Sequence, residues 1–227
     1  MFYYYGAKAR LAPKYPPPDH PIIVEPFAGA AGYSMHHLRD VSRVFLVEKD
    51  PRVVGAWKRL LSLSADEILN YPVPAPGHYT SDPIVMYSQA SNAVSRCRSI
   101  KVSERSWGVM QGMLRRMASL VDEAREKVRI IPGNYTSAPP LEATWFIDPP
   151  YLGGAGSSKT AYPRGMGYAG GCSSVDLDYT ALGDWARARR GQVIVCEGAG
   201  ADWLPFRPLV DQYDSQGKKG TEMVWLA

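Results

Sequence analysis

The chain of 227 residues is long enough for one α/β domain and a small insert. Its composition, 45% hydrophobic and 21% charged with a net charge of +4, is ordinary for a globular protein. It has no run of about 18 apolar residues that would span a membrane, and its first residues lack the basic start and apolar run of a signal peptide. Three scattered cysteines exclude a disulfide framework and the four histidines lack metal-ligand spacing, so we expect a cytoplasmic protein without a metal site.

The first part of the chain alternates short apolar runs with helical periodicity. Residues 22–24 predict a strand that enters a Gly/Ala turn, after which Tyr33 to Leu38 begins a helix. Residues 44–47 predict a second buried strand, followed by a helix over 53–61. Four prolines make 71–83 an irregular excursion, and from there to about residue 126 the pattern is polar and helical.

Strand signals return in the second part of the chain. The runs that predict strands are 128–131, 143–147, 192–196 and a closing hairpin of 209–213 with 222–226. Residues 152–175 are rich in Gly and Ser and predict a mobile surface loop, and 177–190 predicts an amphipathic helix ended by Gly191.

Seven strands with interleaved helices predict an α/β fold with a mostly parallel sheet, helices on both faces and an antiparallel pair at one edge. The stretch 61–126 fits poorly into this alternation. We therefore interpret it as a small helical insert, with 1–60 and 127–227 forming the main domain.

The strongest chemical signal is Asp148-Pro149-Pro150-Tyr151, placed directly after a predicted strand. Ligands of open α/β sheets bind beyond the carboxyl ends of the strands. Two consecutive prolines stiffen the turn and lack N–H groups, so their carbonyls are free to accept hydrogen bonds. The sequence therefore predicts a rigid carboxylate, a rigid carbonyl and an aromatic ring at a ligand-binding edge.

These groups suit an exocyclic amine such as N6 of adenine, whose lone pair is delocalised into the ring. If Asp148 and the Pro149 carbonyl accept its two hydrogens, the nitrogen is favoured to become pyramidal and to aim its lone pair at an electrophile. In duplex DNA such an atom is reached only after base flipping, and Tyr151 would stack on the flipped base.

A second signal is the run Glu25-Pro26-Phe27-Ala28-Gly29-Ala30-Ala31-Gly32, whose small residues allow close approach of a ligand. The next strand ends in Glu48, where nucleoside-binding α/β folds place the acceptor of a ribose diol. The run lacks G-x-G-x-x-G, so an adenosyl cofactor without a pyrophosphate fits better than a dinucleotide.

Together these motifs, in this order, resemble the Dam-type DNA adenine-N6 methyltransferases over most of the chain. Tyr4-Tyr5-Gly6-Ala7-Lys8 is similar to the family's W-x-G-G-K segment, Glu25 to Gly29 to its E/D-P-F-x-G loop, Asn134-Tyr135 to its adenine-binding D-F/Y pair, and Asp148 to Tyr151 to its catalytic D-P-P-Y. The resemblance implies a Rossmann-like methyltransferase fold, S-adenosylmethionine as cofactor, double-stranded DNA as substrate and a bacterial or phage-infected cell as location.

The resemblance assigns catalysis to Asp148, Pro149, Pro150 and Tyr151. The residues that it assigns to the cofactor are Tyr4, Gly6, Lys8, Glu25, Phe27, Ala28, Gly29, Glu48, Asn134, Tyr135 and Asp148. Three features depart from the family pattern: Ala31 replaces the second glycine of F-x-G-x-G, Asn134 replaces an acid, and the insert is short.

The DNA-contacting surface is expected from charge. Between Arg96 and Arg129 nine basic residues exceed four acidic ones by five, which is the excess that phosphate neutralisation requires. The residues expected to bind DNA are Arg96, Arg98, Lys101, Arg105, Arg115, Arg116, Lys159 and Arg164. Trp107 either reads bases or packs the insert, together with Met110, Met113 and Leu114, against the main domain.

Several alternatives remain open from sequence. The amine could be N4 of cytosine in DNA, N6 of adenine in RNA or a glutamine side chain, although cytosine enzymes more often carry Ser, and glutamine enzymes Asn, in place of Asp148. A non-catalytic DNA-binding homologue is the alternative from another class. The recognition sequence, the oligomeric state and the biological role (restriction–modification, phage self-protection or regulation) are not encoded in these motifs.

Overall fold

The computed structural model describes residues 8–88, 99–152, 177–213 and 219–227. Nine strands lie within these ranges: β1 (Ile22–Glu25), β2 (Arg43–Glu48), β3 (Tyr79–Thr80), β4 (Ile100–Lys101), β5 (Val128–Pro132), β6 (Thr144–Ile147), β7 (Val193–Gly198), β8 (Arg207–Tyr213) and β9 (Lys219–Leu226). The α-helices in the same ranges are α1 (Gly32–His36), α2 (Pro51–Leu61), α3 (Ala65–Leu69), α4 (Pro83–Ser88), α5 (Glu104–Lys127) and α6 (Tyr179–Arg187).

Seven strands form one sheet in the order β5-β2-β1-β6-β7-β9-β8. The first five are parallel to one another, and β9 runs antiparallel to both β7 and β8. This arrangement confirms the predicted α/β fold, a mostly parallel Rossmann-like sheet with an antiparallel C-terminal hairpin. The hairpin strands begin earlier than expected, at Arg207 and Lys219.

Several helix ends follow from local side-chain chemistry. Asp50 caps α2 by accepting the Arg52 N–H at 2.9 Å, and proline occupies the first position of that helix. Ser64 opens α3 with a capping box. The helix expected over 33–38 is shorter, because α1 ends at His36 and a 3-10 turn follows.

The two faces of the sheet bury separate apolar clusters, as the two-residue period of a strand requires. One face carries Ile23, Val44, Leu46, Phe146, Ile194 and Cys196 under α1, α2 and α5. The other carries Val24, Trp145, Ile147, Val193 and Val195 under α6. The central strands β6 and β7 are buried along their whole length.

Segment 61–126 contains α3, α4, most of α5 and the small antiparallel pair β3–β4, which the polar pattern did not predict. Met110, Met113 and Leu114 belong to the same buried cluster as the strands of the main sheet. Trp107 differs from them, with 37% of its surface exposed. The segment therefore extends one face of the main core and leaves Trp107 at the surface.

Candidate functional site

The strand order reverses between β1 and β6. The chain proceeds outward from β1 through β2 to β5 and then returns to β6 on the other side of β1. Such a reversal of strand order separates the two flanking loops and is where open α/β sheets bind ligands. The loops at this point are the Gly/Ala run after Glu25 and the turn that begins at Asp148.

The Asp148 carboxylate lies at this edge with 18% of its side chain exposed. Its Oδ1 atom is 2.9 Å from Nζ of the buried Lys8, so the residue expected to contact the cofactor pairs with the acid expected to take part in catalysis. Burial raises the pKa of Asp148 to about 6; the Lys8 charge opposes this shift and the Glu222 charge adds to it. Asp148 is therefore ionised near neutral pH and neutral in mild acid.

The turn after Asp148 is fixed by two groups that the sequence did not identify. The Tyr179 hydroxyl donates to the Pro150 carbonyl at 2.5 Å. The buried carboxylate of Glu197 accepts the Leu152 N–H at 3.1 Å and the Trp203 indole N–H at 3.0 Å. Buried polar groups of this kind hold a backbone in one conformation, so the rigidity expected from the prolines is reinforced.

Tyr151 is half-buried and points its hydroxyl inward. That hydroxyl donates to Glu222 Oε1, and Lys8 Nζ lies 4.6 Å from the ring centroid. Burial and the neighbouring carboxylates raise the pKa of Tyr151, so it remains a neutral donor. The ring expected to stack on a base is thus anchored through its hydroxyl, with Lys8 against it.

The Gly/Ala loop is tightly packed. Gly29 and Ala31 have φ angles of 46° and 49°, the left-handed region that alanine rarely adopts. The Gly29 carbonyl accepts the Trp57 indole N–H at 2.8 Å, and the Ala28 N–H donates to the Val47 carbonyl at 3.0 Å. The alanine that departs from the family motif therefore occupies a strained position.

Glu25 is buried behind this loop. Its Oε1 atom accepts the Ser34 N–H at 2.7 Å in α1. Burial raises the pKa of Glu25 to about 7, although the bond to Ser34 opposes the shift. Glu25 therefore holds the start of α1 in this structure, away from solvent.

Glu25→Gln is expected to stabilise the protein at pH 8 and to have little effect at pH 5. The folded-state pKa is raised from 4.5 to about 7, so the folded protein retains a proton that the unfolded chain releases, and wild-type stability falls as pH rises through this window. The difference should reach about 3 kcal/mol above pH 7. Urea unfolding at several pH values measures it. The exposed Glu126→Gln is the control, and equal pH dependence in wild type and Glu25→Gln would contradict the prediction.

The half-exposed groups at the edge form a candidate nucleoside site. Glu48 accepts the Gly29 and Asp50 N–H groups, each at 2.8 Å, and its side chain remains half-buried. The rings of Phe27 and Tyr135 stack with centroids 5.7 Å apart. An acid whose carboxylate oxygens accept hydrogen bonds, together with a stacked pair of aromatic rings, suits the hydroxyls of a ribose and the ring of a purine.

Asn134 is exposed next to Tyr135, and its side-chain oxygen is already engaged. That oxygen accepts the Thr136 N–H at 3.1 Å and the Thr136 hydroxyl at 2.5 Å. The amide NH₂ group is therefore the part of Asn134 oriented by this cap to donate to a ligand.

The described basic residues between Lys101 and Arg129 fall into two groups. Lys101, Arg115 and Arg116 are exposed, and Arg105 lies in the first turn of α5. Three other basic residues instead donate to backbone carbonyls: Arg125 to Leu61 at 3.0 Å, Lys127 to Leu38 at 2.9 Å, and Arg129 to Glu126 at 3.1 Å.

Several predicted residues lie outside the described ranges. These are Tyr4, Gly6, Arg96, Arg98, Lys159 and Arg164, together with nearly all of the loop expected over 152–175. Within the described ranges no three potential metal ligands cluster together, and no helix combines the length and apolar character needed to cross a bilayer.

Comparison with known proteins adds little to the geometry. No family model matches the sequence, and no curated protein matches it. Among solved structures, the chain is similar to the putative methyltransferase yhhF from Escherichia coli, with a TM-score of 0.37 and 12% identity over 96% of this chain and 80% of that chain. A likeness at that TM-score supports no conclusion about activity, and the fold is defined by the strand order itself.

Proposed function

We propose that this protein is an S-adenosylmethionine-dependent methyltransferase that acts on N6 of adenine in DNA. The observation that carries the proposal is the position of Asp148-Pro149-Pro150-Tyr151 at the point where the strand order reverses, next to the Gly/Ala loop. A stiff turn with a partly exposed acid is placed where this class of sheet binds its ligands.

The acid and the two aromatic rings at the edge of the sheet suit the ribose hydroxyls and the purine of an adenosyl cofactor. Glu48 would accept the ribose hydroxyls, and Phe27 with Tyr135 would contact the purine. The tightly curved backbone from Ala28 to Gly32 lies between this set and Asp148. When bound, S-adenosylmethionine supplies an electrophilic methyl group.

The protein's own groups would hold the acceptor amine. Lys8 engages Oδ1 of Asp148 and fixes the carboxylate; we assign one amine hydrogen to Oδ2 and the other to the carbonyl of Pro149. The nitrogen lone pair would then form the new N–C bond as the methyl C–S bond breaks, the sulfur would leave as a neutral thioether, and the methylated nitrogen would release one proton to water. Positioning and preorganised charge supply the catalysis, without a covalent enzyme intermediate.

The exposed arginines of α5 support a polyanionic substrate, and the double substitution Arg115→Ala/Arg116→Ala is expected to weaken binding to duplex DNA. In the wild type the two arginines are expected to neutralise two phosphates and release their counterions. Without them, the slope of the logarithm of the binding constant against the logarithm of the salt concentration should fall in magnitude by about 2. Binding titrations of a fluorescent duplex at several salt concentrations measure this slope. Arg187→Ala on α6, which covers the opposite face of the sheet, is the control. An unchanged slope in the double variant would place the DNA elsewhere.

A non-catalytic DNA-binding protein is the second candidate. It is favoured by Ala31, which holds a left-handed conformation where the family has glycine, and by Asn134, whose oxygen caps Thr136. Calorimetric titration with S-adenosylmethionine separates the two candidates, because a protein that has lost turnover through loss of its cofactor would release no binding heat.

The test of the proposed function is transfer of a labelled methyl group to defined polymers. Wild type and Asp148→Ala are incubated with labelled S-adenosylmethionine and duplex DNA, single-stranded RNA or a glutamine-rich peptide. The proposal expects label in DNA with wild type only. Label in RNA or peptide, or label in DNA with both proteins, would overturn it.

A further inference from the structure

The antiparallel strand β9 carries an acid, Glu222, whose side chain lies close to Lys8 and Tyr151. Glu222 is buried, and the pairing of β9 with β7 sets it opposite Gly198, at the carboxyl end of β7. Its Oε1 atom accepts the hydroxyl of Tyr15 at 2.5 Å and also the hydroxyl of Tyr151. The same oxygen lies 3.9 Å from Lys8 Nζ.

Each partner of Glu222 is itself connected to the catalytic turn or to its strand. Lys8 holds Asp148, and Tyr151 closes the turn that Asp148 opens. Tyr15 packs edge-to-face on Phe146 of β6, with ring centroids 5.0 Å apart. One carboxylate oxygen therefore joins three groups that surround Asp148.

We propose that Glu222 is a positioning residue, which holds Tyr151 and Lys8 in the arrangement in which Lys8 holds Asp148. Its consequence for catalysis rests on the proposed function, whereas the arrangement itself does not. Neither the family motifs nor the sequence pattern identified this acid.

The charge of Glu222, and not only its shape, is expected to matter. A glutamine of the same shape could accept both hydroxyls, and burying a carboxylate costs several kcal/mol unless it is paired. Two acids, Asp148 and Glu222, flank the single ammonium of Lys8. The ammonium attracts both acids while the acids repel each other, so the charge of Glu222 changes the ionisation of Asp148.

The direction of this coupling follows from the groups that face Asp148. These titratable groups are Lys8, Tyr15, Glu25, Tyr151, Cys196 and Glu222. Burial raises the pKa values of the tyrosines and of the Cys196 thiol, so those groups stay neutral. Among the remaining groups, the negative charge of Glu222 raises the pKa of Asp148, and its removal should lower that pKa.

The test is Glu222→Gln, studied first without cofactor or DNA. Titration of the Asp148 carboxyl by carbon NMR should show its pKa lowered by about one pH unit relative to wild type. Asp211→Asn removes an equal charge from an exposed position on the neighbouring strand β8 and should leave the Asp148 pKa unchanged. An Asp148 pKa that is equal in wild type and Glu222→Gln would overturn the proposal.

Glu222→Asp separates position from charge and serves also if Glu222→Gln does not fold. The shorter side chain keeps the charge but withdraws from the Tyr151 hydroxyl, so the ring resonances of Tyr151 should shift. Unchanged resonances would overturn the positioning role.

If the wild-type protein transfers methyl groups, the acid limb of its pH–rate profile should move to lower pH in Glu222→Gln by the same amount as the Asp148 pKa. If the wild-type protein transfers no methyl groups, the proposed function fails, and the NMR titrations still decide the role of Glu222.

Discussion

Asp148→Ala is expected to lower the rate of methyl transfer by about a thousandfold, or roughly 4 kcal/mol of transition-state stabilisation. The carboxylate is the only charged group that the proposal places on the acceptor amine. Its removal leaves an amine whose lone pair stays in the ring. Single-turnover measurements with saturating DNA and cofactor isolate this step from binding.

The same substitution removes the carboxylate 2.9 Å from Lys8 and leaves Glu222 at 3.9 Å, so its controls must separate chemistry from folding. Lys8 is buried, and although burial lowers its pKa, the charges of Asp148 and Glu222 raise it above the usual value. Removal of one partner from a buried ion pair costs about 3–5 kcal/mol of stability. Asp148→Asn, which keeps the shape and one acceptor oxygen, and the exposed Asp184→Ala are therefore measured alongside. Near-normal transfer by Asp148→Ala, with cofactor affinity intact, would contradict the mechanism.

Gly32→Ala is expected to destabilise the protein by about 3 kcal/mol and to displace Lys8 from Asp148. A Cβ atom at this position would lie 2.5 Å from the Ala9 nitrogen and 2.9 Å from the Lys8 carbonyl carbon. Both contacts are to backbone, which cannot rotate away as a side chain can. The segment carrying Lys8 must move, and Asp148 then loses its ion pair. Urea unfolding gives the loss of stability, and NMR titration of Asp148 reports the ion pair.

Gly55→Ala is the matched control for this change. Gly55 lies on the exposed face of α2, where an added Cβ meets nothing within 4 Å. Alanine at such a position stabilises a helix by about 0.5–1 kcal/mol. If Gly32→Ala behaves like Gly55→Ala, the close packing of the loop on residues 8 and 9 is wrong.

The parts of the fold that could be predicted are those set by local pattern. The buried strands, the Gly/Ala turn and the Asp-Pro-Pro-Tyr turn are contiguous in the chain, so periodicity and proline chemistry were sufficient to locate them. The pair β3–β4 was not predicted, because each strand has only two residues. Such short runs carry no periodicity.

The acids that surround the Asp-Pro-Pro-Tyr turn could not be predicted, because topology brings them there. Glu222 lies 71 residues from Tyr151 and 207 from Tyr15, and Glu197 lies 45 residues from Leu152. No spacing rule connects positions so far apart. The signal that was present is an acid within an apolar strand, as in Val193-Ile194-Val195-Cys196-Glu197, since a buried carboxylate requires partners.

The sequence count of basic residues could not show which side chains also bind other parts of the protein. Arg125 has a long side chain that reaches the carbonyl of Leu61 at the end of α2, and Lys127 reaches the carbonyl of Leu38. A charge count does not distinguish a side chain that ties two segments together from one that faces solvent.

The identity of the methylated atom tests the central claim most directly. Duplex DNA treated with the protein and S-adenosylmethionine is digested to nucleosides, which are separated and identified by their masses in mass spectrometry. If Asp148 and the Pro149 carbonyl bind a purine amine as proposed, the product is N6-methyldeoxyadenosine. Methylated cytosine in its place, or no methylated nucleoside from a protein that binds the cofactor, would contradict the account.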